Sequence, residues 1–369
     1  MQNFKIAFVG SRGIFSNYGG VENATREIIL EMSQEQNVYI NVYCVKSEND
    51  NKFALPENVK TTFIPDFIYK YLGQHSYILF CILNVLFINR PKVVILFASG
   101  PCVFTPLLRF GGIKVITSLR AFDSARDKWG KVNRTILQFG EYCSWRFADE
   151  FTANSKEMIS VCSKYRHDAH FIPNGAKPII NESMKELEIY GLKPNHYLLF
   201  SARLDPVKRL HLLLEANQRL PDSIRLPLVI AGGNVKDKAY EKMLRKYESQ
   251  SVIFLGHINS NQVDTLMKYC RAFILPSVLE GMSNSLLSAM ANSKAVLAAD
   301  IVENSDVVEC KEALFEKDNV NDLYEKLIKI SSDIPFCNNL GMKLGVIASE
   351  KYSWNATSTM FFELIKKHV

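Results

Sequence analysis

Short apolar runs recur along the chain, each followed by a turn and then by helical spacing. Residues 5–9, 39–45, 92–97, 114–118 and Glu150–Ala153 read as strands. The first runs into a glycine-rich turn and then a helix-like segment, 21–32. These runs are apolar at nearly every position, which predicts strands buried on both faces. Strand, turn and helix in repetition is the pattern of a parallel α/β sheet.

A second series begins near Tyr197. Strands are predicted at 197–201, 227–231, 252–255, Ala272–Leu275 and Ala295–Ala299. Helices are predicted between them at 210–219, 239–248, 262–270 and Asn284–Ala291. The stretch 180–195 is polar and charged and ends with Gly191 and Pro194, which places a domain boundary there. The expected organisation is a first domain over 1–187, a second over 188–351, and a final helix over 352–369. That helix returns to the first domain, with Trp354, Met360, Phe361 and Leu364 buried. Two doubly wound domains facing across a cleft would bind ligands beyond the carboxyl ends of their strands. Candidate chemistry should therefore lie just after the strands.

Composition narrows the classes. The chain has 369 residues, 47% hydrophobic and 22% charged, as in a soluble globular protein of two or three domains. The net charge of +6 is mild, and no basic–aromatic platform repeats, so a nucleic-acid partner is not expected. The eight cysteines form no CxxC pair and read as buried thiols of a reducing compartment. The most apolar stretch, 77–88, is shorter than the roughly 20 residues a membrane span needs and reads as a buried helix. The start shows no signal-peptide layout, so a cytoplasmic location is expected.

Three constellations follow predicted strands. Gly10-Ser-Arg-Gly13 ends the first strand, and Gly19-Gly20 opens the next helix. Such glycines let backbone amides approach a ligand, though turns needing positive φ would use them equally. The spacing is not the GxGxxG of dinucleotide binders. Arg203 and Lys208 follow the strand at 197–201; two fixed cations there suit a diphosphate better than a solvated turn. Glu280, Gly281, Met282, Ser283, Asn284 and Ser285 lead into the Asn284–Ala291 helix. The first turn of that helix suits phosphate and Glu280 suits sugar hydroxyls, although an ordinary capped helix would look similar.

Taken together these segments resemble the retaining nucleotide-sugar glycosyltransferases of GT-B fold, in the large family 4 group. "SARLDPVKRLHLLLEA", "VIAGG", "VIFLGHI" and "LPSVLEGMSNSLLSAMANSKAVLAAD" are similar to that family's second-domain motifs. "IAFVGSRGIFSNYGGVEN", "SLRAFDSARDKWGKVNR" and "ADEFTANSKEM" resemble its rhamnosyltransferase-like bacterial branch, which builds surface polysaccharide such as O-antigen and capsule. The resemblance implies that Arg203 and Lys208 hold the donor diphosphate and that Glu280 touches the donor sugar. It implies that Gly281 to Ser285 face sugar and phosphate, and that Gly19 and Gly20 lie against the phosphates. Asn174 and Gly175 match a turn near the family's interdomain hinge.

The chain also departs from the family. The second Glu of its E-x7-E motif is replaced by Ser288, which predicts altered nucleotide binding. Arg120 stands where many members carry His, with Asp123 shortly after; these, with Trp129, are the acceptor-side candidates. No Asp-x-Asp motif follows a strand, so neither metal nor cofactor is expected, the nucleotide-sugar being a substrate. The acceptor would be a saccharide or a lipid-diphosphate-linked saccharide. Basic and aromatic residues across Arg126, Lys128, Trp129, Lys131 and Arg134 suggest peripheral contact with the inner membrane. A non-catalytic GT-B partner of an active transferase is the alternative. A GT-B nucleotide-sugar epimerase would want more acid/base groups than are present.

Overall fold

The computed structural model describes residues 3–16, 19–46, 53–125, 130–180, 183–233 and 237–369. The chain divides into two compact units, Met1–Gly175 with Trp354–Val369, and Ala176–Ser353.

The first unit is built on a seven-stranded sheet: β1 (Phe4–Val9), β2 (Val38–Val45), β3 (Val59–Ile64), β4 (Val93–Phe97), β5 (Lys114–Leu119), β6 (Glu150–Ala153) and β7 (Ala169–Phe171). All pairs are parallel, in the order β3-β2-β1-β4-β5-β6-β7. β4 is buried at every position, as its sequence VVILF requires in a sheet covered on both faces. The Trp354–Lys366 helix covers one face. Phe361 and Ile365 are fully buried there, Thr357 Oγ1 donates to Pro173 O at 3.0 Å, and Ser358 Oγ donates to Ile28 O at 3.3 Å.

The second unit carries a six-stranded sheet: β8 (Leu198–Ser201), β9 (Leu228–Ala231), β10 (Val252–Gly256), β11 (Ala272–Leu275), β12 (Ala295–Ala299) and β13 (Leu314–Phe315). Its order, β10-β9-β8-β11-β12-β13, is the Rossmann order, so the strand sequence reverses direction between β8 and β11. Both units are thus parallel Rossmann-like α/β sheets, as the apolar runs predict.

Four expectations need correction. The division falls at Gly175, not at 187, because the next residues are tied into the second unit. Ala176 N–H donates to Tyr352 O at 2.7 Å, Ile179 N–H donates to Asn292 Oδ1 at 2.9 Å, and Leu187 lies in that unit's core. The same ties keep Tyr352 and Ser353 there, so the returning helix starts at Trp354. Segment 77–88 is buried on one side only. Tyr77, Ile78, Cys81, Ile82 and Val85 face inward, while Phe87 is 74% and Ile88 77% exposed. Met360 is exposed, because helical spacing puts Trp354, Phe361 and Ile365 on the buried face and residue 360 opposite it. No helix among the described residues is long and apolar enough to cross a membrane.

Candidate active site in the second unit

β8 and β11 flank the point where the strand order reverses, and the loops after them carry the second-domain candidates. After β8 the chain turns at Asp205, whose carboxylate Oδ1 accepts the Val207 N–H at 3.3 Å. Pro206 fits the first position of the short turn Pro206–Lys208, since it has no N–H to satisfy. Arg209, left-handed at φ 50°, ends that turn. Val278 N–H, from the loop after β11, donates to Val207 O at 3.0 Å and straps the two loops together.

That strap brings Lys208 onto Glu280, with Nζ to Oε1 at 2.6 Å and the side chains 14% and 10% exposed. A charge-assisted bond this well covered holds the ammonium in one place. Arg203 is exposed and makes no side-chain bond among the described residues. Gly232, at the exit of β9, is a matter of space: a Cβ there would stand 2.0 Å from Ala202 O. The loop bearing Arg203 can run this close to β9 only over a glycine.

Gly281, Met282, Ser283, Asn284 and Ser285 are all half-buried at the head of the Asn284–Ala291 helix. Ser283 caps it, Oγ accepting the Leu286 N–H at 3.3 Å. Ser288 is half-buried and lies one turn on from Asn284 and Ser285, on the same helix face. The structure thus joins Lys208 to Glu280 and sets the helix start beside Glu280 in the chain. The site offers a fixed ammonium, a carboxylate and the positive end of a helix at a sheet's carboxyl edge.

In the glycine-rich segment after β1 the need for positive φ falls on Gly10 and Gly13, both at 121°. Gly19 is extended at φ −175°, a conformation any residue adopts, and a Cβ there would meet Glu22 Oε2 at a comfortable 3.4 Å. Gly19 and Gly20 are exposed at the start of the Gly20–Met32 helix. Turn geometry therefore does not account for Gly19.

Arg120 leaves β5 buried, its Nη1 donating to Asn174 Oδ1. Burial lowers the guanidinium pKa to about 9, still charged at neutral pH. Asp123 lies nearby in the Asp123–Ala125 turn, its Oδ2 accepting the Ser99 N–H at 3.5 Å. Trp129, Arg126 and Lys128 lie outside the described residues; Lys131 and Arg134 open the Lys131–Phe147 helix, with Gly130 as its cap.

Sequence reasoning passed over Glu141. It sits on the buried face of that helix and accepts from Ser99 Oγ (3.1 Å), Ser124 N–H (3.1 Å) and Ser124 Oγ (2.7 Å). Burial raises its carboxyl pKa, a rise the serine bonds oppose and the Asp123 charge reinforces. The available signal was an acid among Leu137, Gly140 and Ser144, at the spacing of one inward face.

Comparison with known proteins fits this arrangement. Residues 183–343 match the family model described as "Glycosyl transferases group 1". The serotype-specific mannosyltransferase WbdA of Escherichia coli is 29% identical over 57% of this chain, but the match spans only 26% of that protein. An Escherichia coli enzyme named UDP-Gal:alpha-D-GlcNAc-diphosphoundecaprenol alpha-1,3-galactosyltransferase is 23% identical over 82% of this chain and 83% of its own length. Among solved structures, Anabaena Alr3699/HepE in complex with UDP and glucose superposes with a TM-score of 0.80 at 17% identity, covering 99% of this chain and 100% of that one. Sucrose-phosphate synthase from Thermosynechococcus elongatus also gives 0.80, at 15% identity and 99% of each chain. Residues 183–343 thus match the glycosyl transferases group 1 model, on a chain that has the GT-B fold of these structures.

Proposed function

We propose that the protein is a retaining glycosyltransferase of surface-polysaccharide synthesis. It would move a sugar from a nucleotide-sugar to a saccharide or lipid-diphosphate-linked acceptor. The observation that carries this reading is the covered Lys208–Glu280 pair beside a capped helix start, at the strand reversal of the segment matching the family. Leaving-group charge builds on the donor diphosphate as the sugar–phosphate bond breaks. Arg203, Lys208 and the helix start would stabilise it electrostatically, without a metal ion. Glu280 would hold Lys208 and accept sugar hydroxyls. The acceptor hydroxyl would attack on the face the phosphate leaves, with that phosphate taking the proton. Gly19 and Gly20 would lie against the phosphates, and Arg120 and Asp123 would serve the acceptor.

A transfer assay with UDP-, GDP- and dTDP-sugars, in chelator, tests the reading and separates rhamnosyl from mannosyl or galactosyl transfer. One donor turned over with its anomeric configuration kept is the expected result. Turnover that needs added magnesium contradicts the metal-free mechanism. Ser288 favours one rival, a non-catalytic GT-B partner, which predicts no turnover with any donor.

Peripheral contact with the cytoplasmic face of a membrane belongs to the same proposal. Phe87, Ile88 and Phe110 are 74%, 77% and 94% exposed, close to the exposed cations Arg90 and Arg109. Apolar side chains rimmed by cations suit an anionic lipid surface.

A further inference from the structure

β5 and β6 carry polar side chains on the face that the Trp354–Lys366 helix covers. Their register sets Ser118 opposite Thr152. Two residues on, with the alternation of the strands, stand Arg120 and Asn154. Ser118, Arg120, Thr152 and Asn154 are 1%, 8%, 0% and 2% exposed. Each keeps a buried polar atom with no partner among the described residues: Ser118 Oγ, Thr152 Oγ1, Asn154 Oδ1, and both Nε and Nη2 of Arg120. Buried polar atoms are nearly always paired, and an orphan costs about 1–3 kcal/mol. Four such residues at the carboxyl edge of a parallel sheet, where ligands bind, need an outside partner, water or ligand.

The guanidinium fixes what kind. Nη1 donates to Asn174 Oδ1, and Asn154 Nδ2 donates to the same oxygen at 3.4 Å, which places Asn154 beside the arginine. The rings of Phe97 and Phe361 lie 4.8 and 5.7 Å from Arg120 Cζ. No carboxylate pairs with this cation among the described residues. Nε–H and Nη2–H share one edge of the planar group, two parallel donors matched to two oxygens of an oxyanion. A phosphate group fills that fork with two of its oxygens.

We propose that Arg120 anchors a phosphate-binding site at the carboxyl edge of β5 and β6, its Nε–H and Nη2–H gripping two oxygens of a phosphate group. Both nitrogens are shut from solvent, so ligand entry requires the side chain to swing outward about its aliphatic stem. The source of the phosphate, acceptor diphosphate or donor diphosphate, rests on the glycosyltransferase reading; the site itself does not.

The test uses the full chain labelled with 15N-arginine. The Arg120 Nε–H resonance, assigned by its loss in Arg120→Lys, is followed while inorganic pyrophosphate, farnesyl diphosphate and UDP, GDP or dTDP are added. Calorimetry with the same probes compares the native chain with Arg120→Lys and Arg120→Gln. At least one probe should shift that resonance, with affinity falling tenfold or more in both variants, because lysine keeps the charge but not the fork. An effect on farnesyl diphosphate alone assigns the acceptor; an effect on the nucleotides assigns the donor. A shift by pyrophosphate in a chain that binds no nucleotide keeps the site and removes the glycosyltransferase reading. No shift by any probe, or unchanged affinities in folded Arg120→Gln, overturns the site. Should the variants not fold, the native-chain resonance, assigned through its neighbours, decides alone.

Discussion

At the residue scale, the chemistry rests on a few covered polar side chains whose surroundings set their state. Glu141 is a case the sequence hid, since one acid in a helix says little until the buried face is known. Its carboxyl pKa is raised by burial, so between the unfolded and folded values the folded chain binds more protons. That contribution to stability is present on the acid side of this window and is lost as pH rises through the folded value. Glu141→Gln should keep the two bonds accepted by Oε1, with its amide N–H donating to Ser124 Oγ in place of the second carboxylate oxygen, while removing this pH dependence. Glu141→Ala should cost about 1–3 kcal/mol by orphaning the serines. Thermal melts across the acid range would show both effects; equal melting of the two variants would count against the account. Ser288 makes an opposite argument, because its shortness was legible in the sequence. It shares the helix face of Asn284 and Ser285, so Ser288→Glu should tighten nucleotide binding. A hydrogen bond to a charged group contributes about 1.5–3 kcal/mol, which amounts to tenfold or more. Unchanged affinity would remove position 288 from the site.

At the element scale, the strands with continuous apolar runs were readable, and three of the four at sheet edges, β3, β7 and β13, were not. β6, β11 and β12 match the expected bounds to the residue, as does the Asn284–Ala291 helix. β3 has three polar residues in a row, Lys60, Thr61 and Thr62, and β13 has two residues, so neither carries an apolar run. The helices Val320–Ser332 and Ile334–Lys351 carry no motif and went unread, although Leu323, Leu327, Leu340 and Leu344 fill the second core. The 77–88 helix was misjudged because apolar composition does not say which side is covered. Close approach between elements also escapes pattern reading. Gly10, at the exit of β1, combines φ 121° with a Cβ position 2.1 Å from Phe97 O in β4. Gly10→Ala should lower stability by at least about 2 kcal/mol, from backbone strain and the clash together. Gly19→Ala, extended and uncrowded, should leave stability nearly untouched. Denaturant unfolding of the two variants compares them directly; equal losses would contradict the geometry.

At the scale of the whole molecule, the repeated strand–turn–helix rhythm made two Rossmann-like units legible. The division at Gly175 was not, because the polar stretch after it looks like a linker yet bonds into the second unit. The second-domain candidates were readable because four of its motifs stand in order over 183–343. The first-unit candidates were less so. Arg120 shows its character only when Asn174, Phe97 and Phe361, distant in sequence, surround it. The central claim is that the loops after β8 and β11 form a nucleotide-sugar donor site. Calorimetry with UDP, GDP, dTDP and ADP in the absence of metal tests it most directly, using native protein, Arg203→Ala and Lys208→Ala. The account predicts binding of one nucleotide by the native chain and a loss of at least about tenfold in each variant, from a charge-assisted contact of about 1.5–3 kcal/mol. A native chain that binds none of the four, or variants that bind as the native chain does, would contradict it.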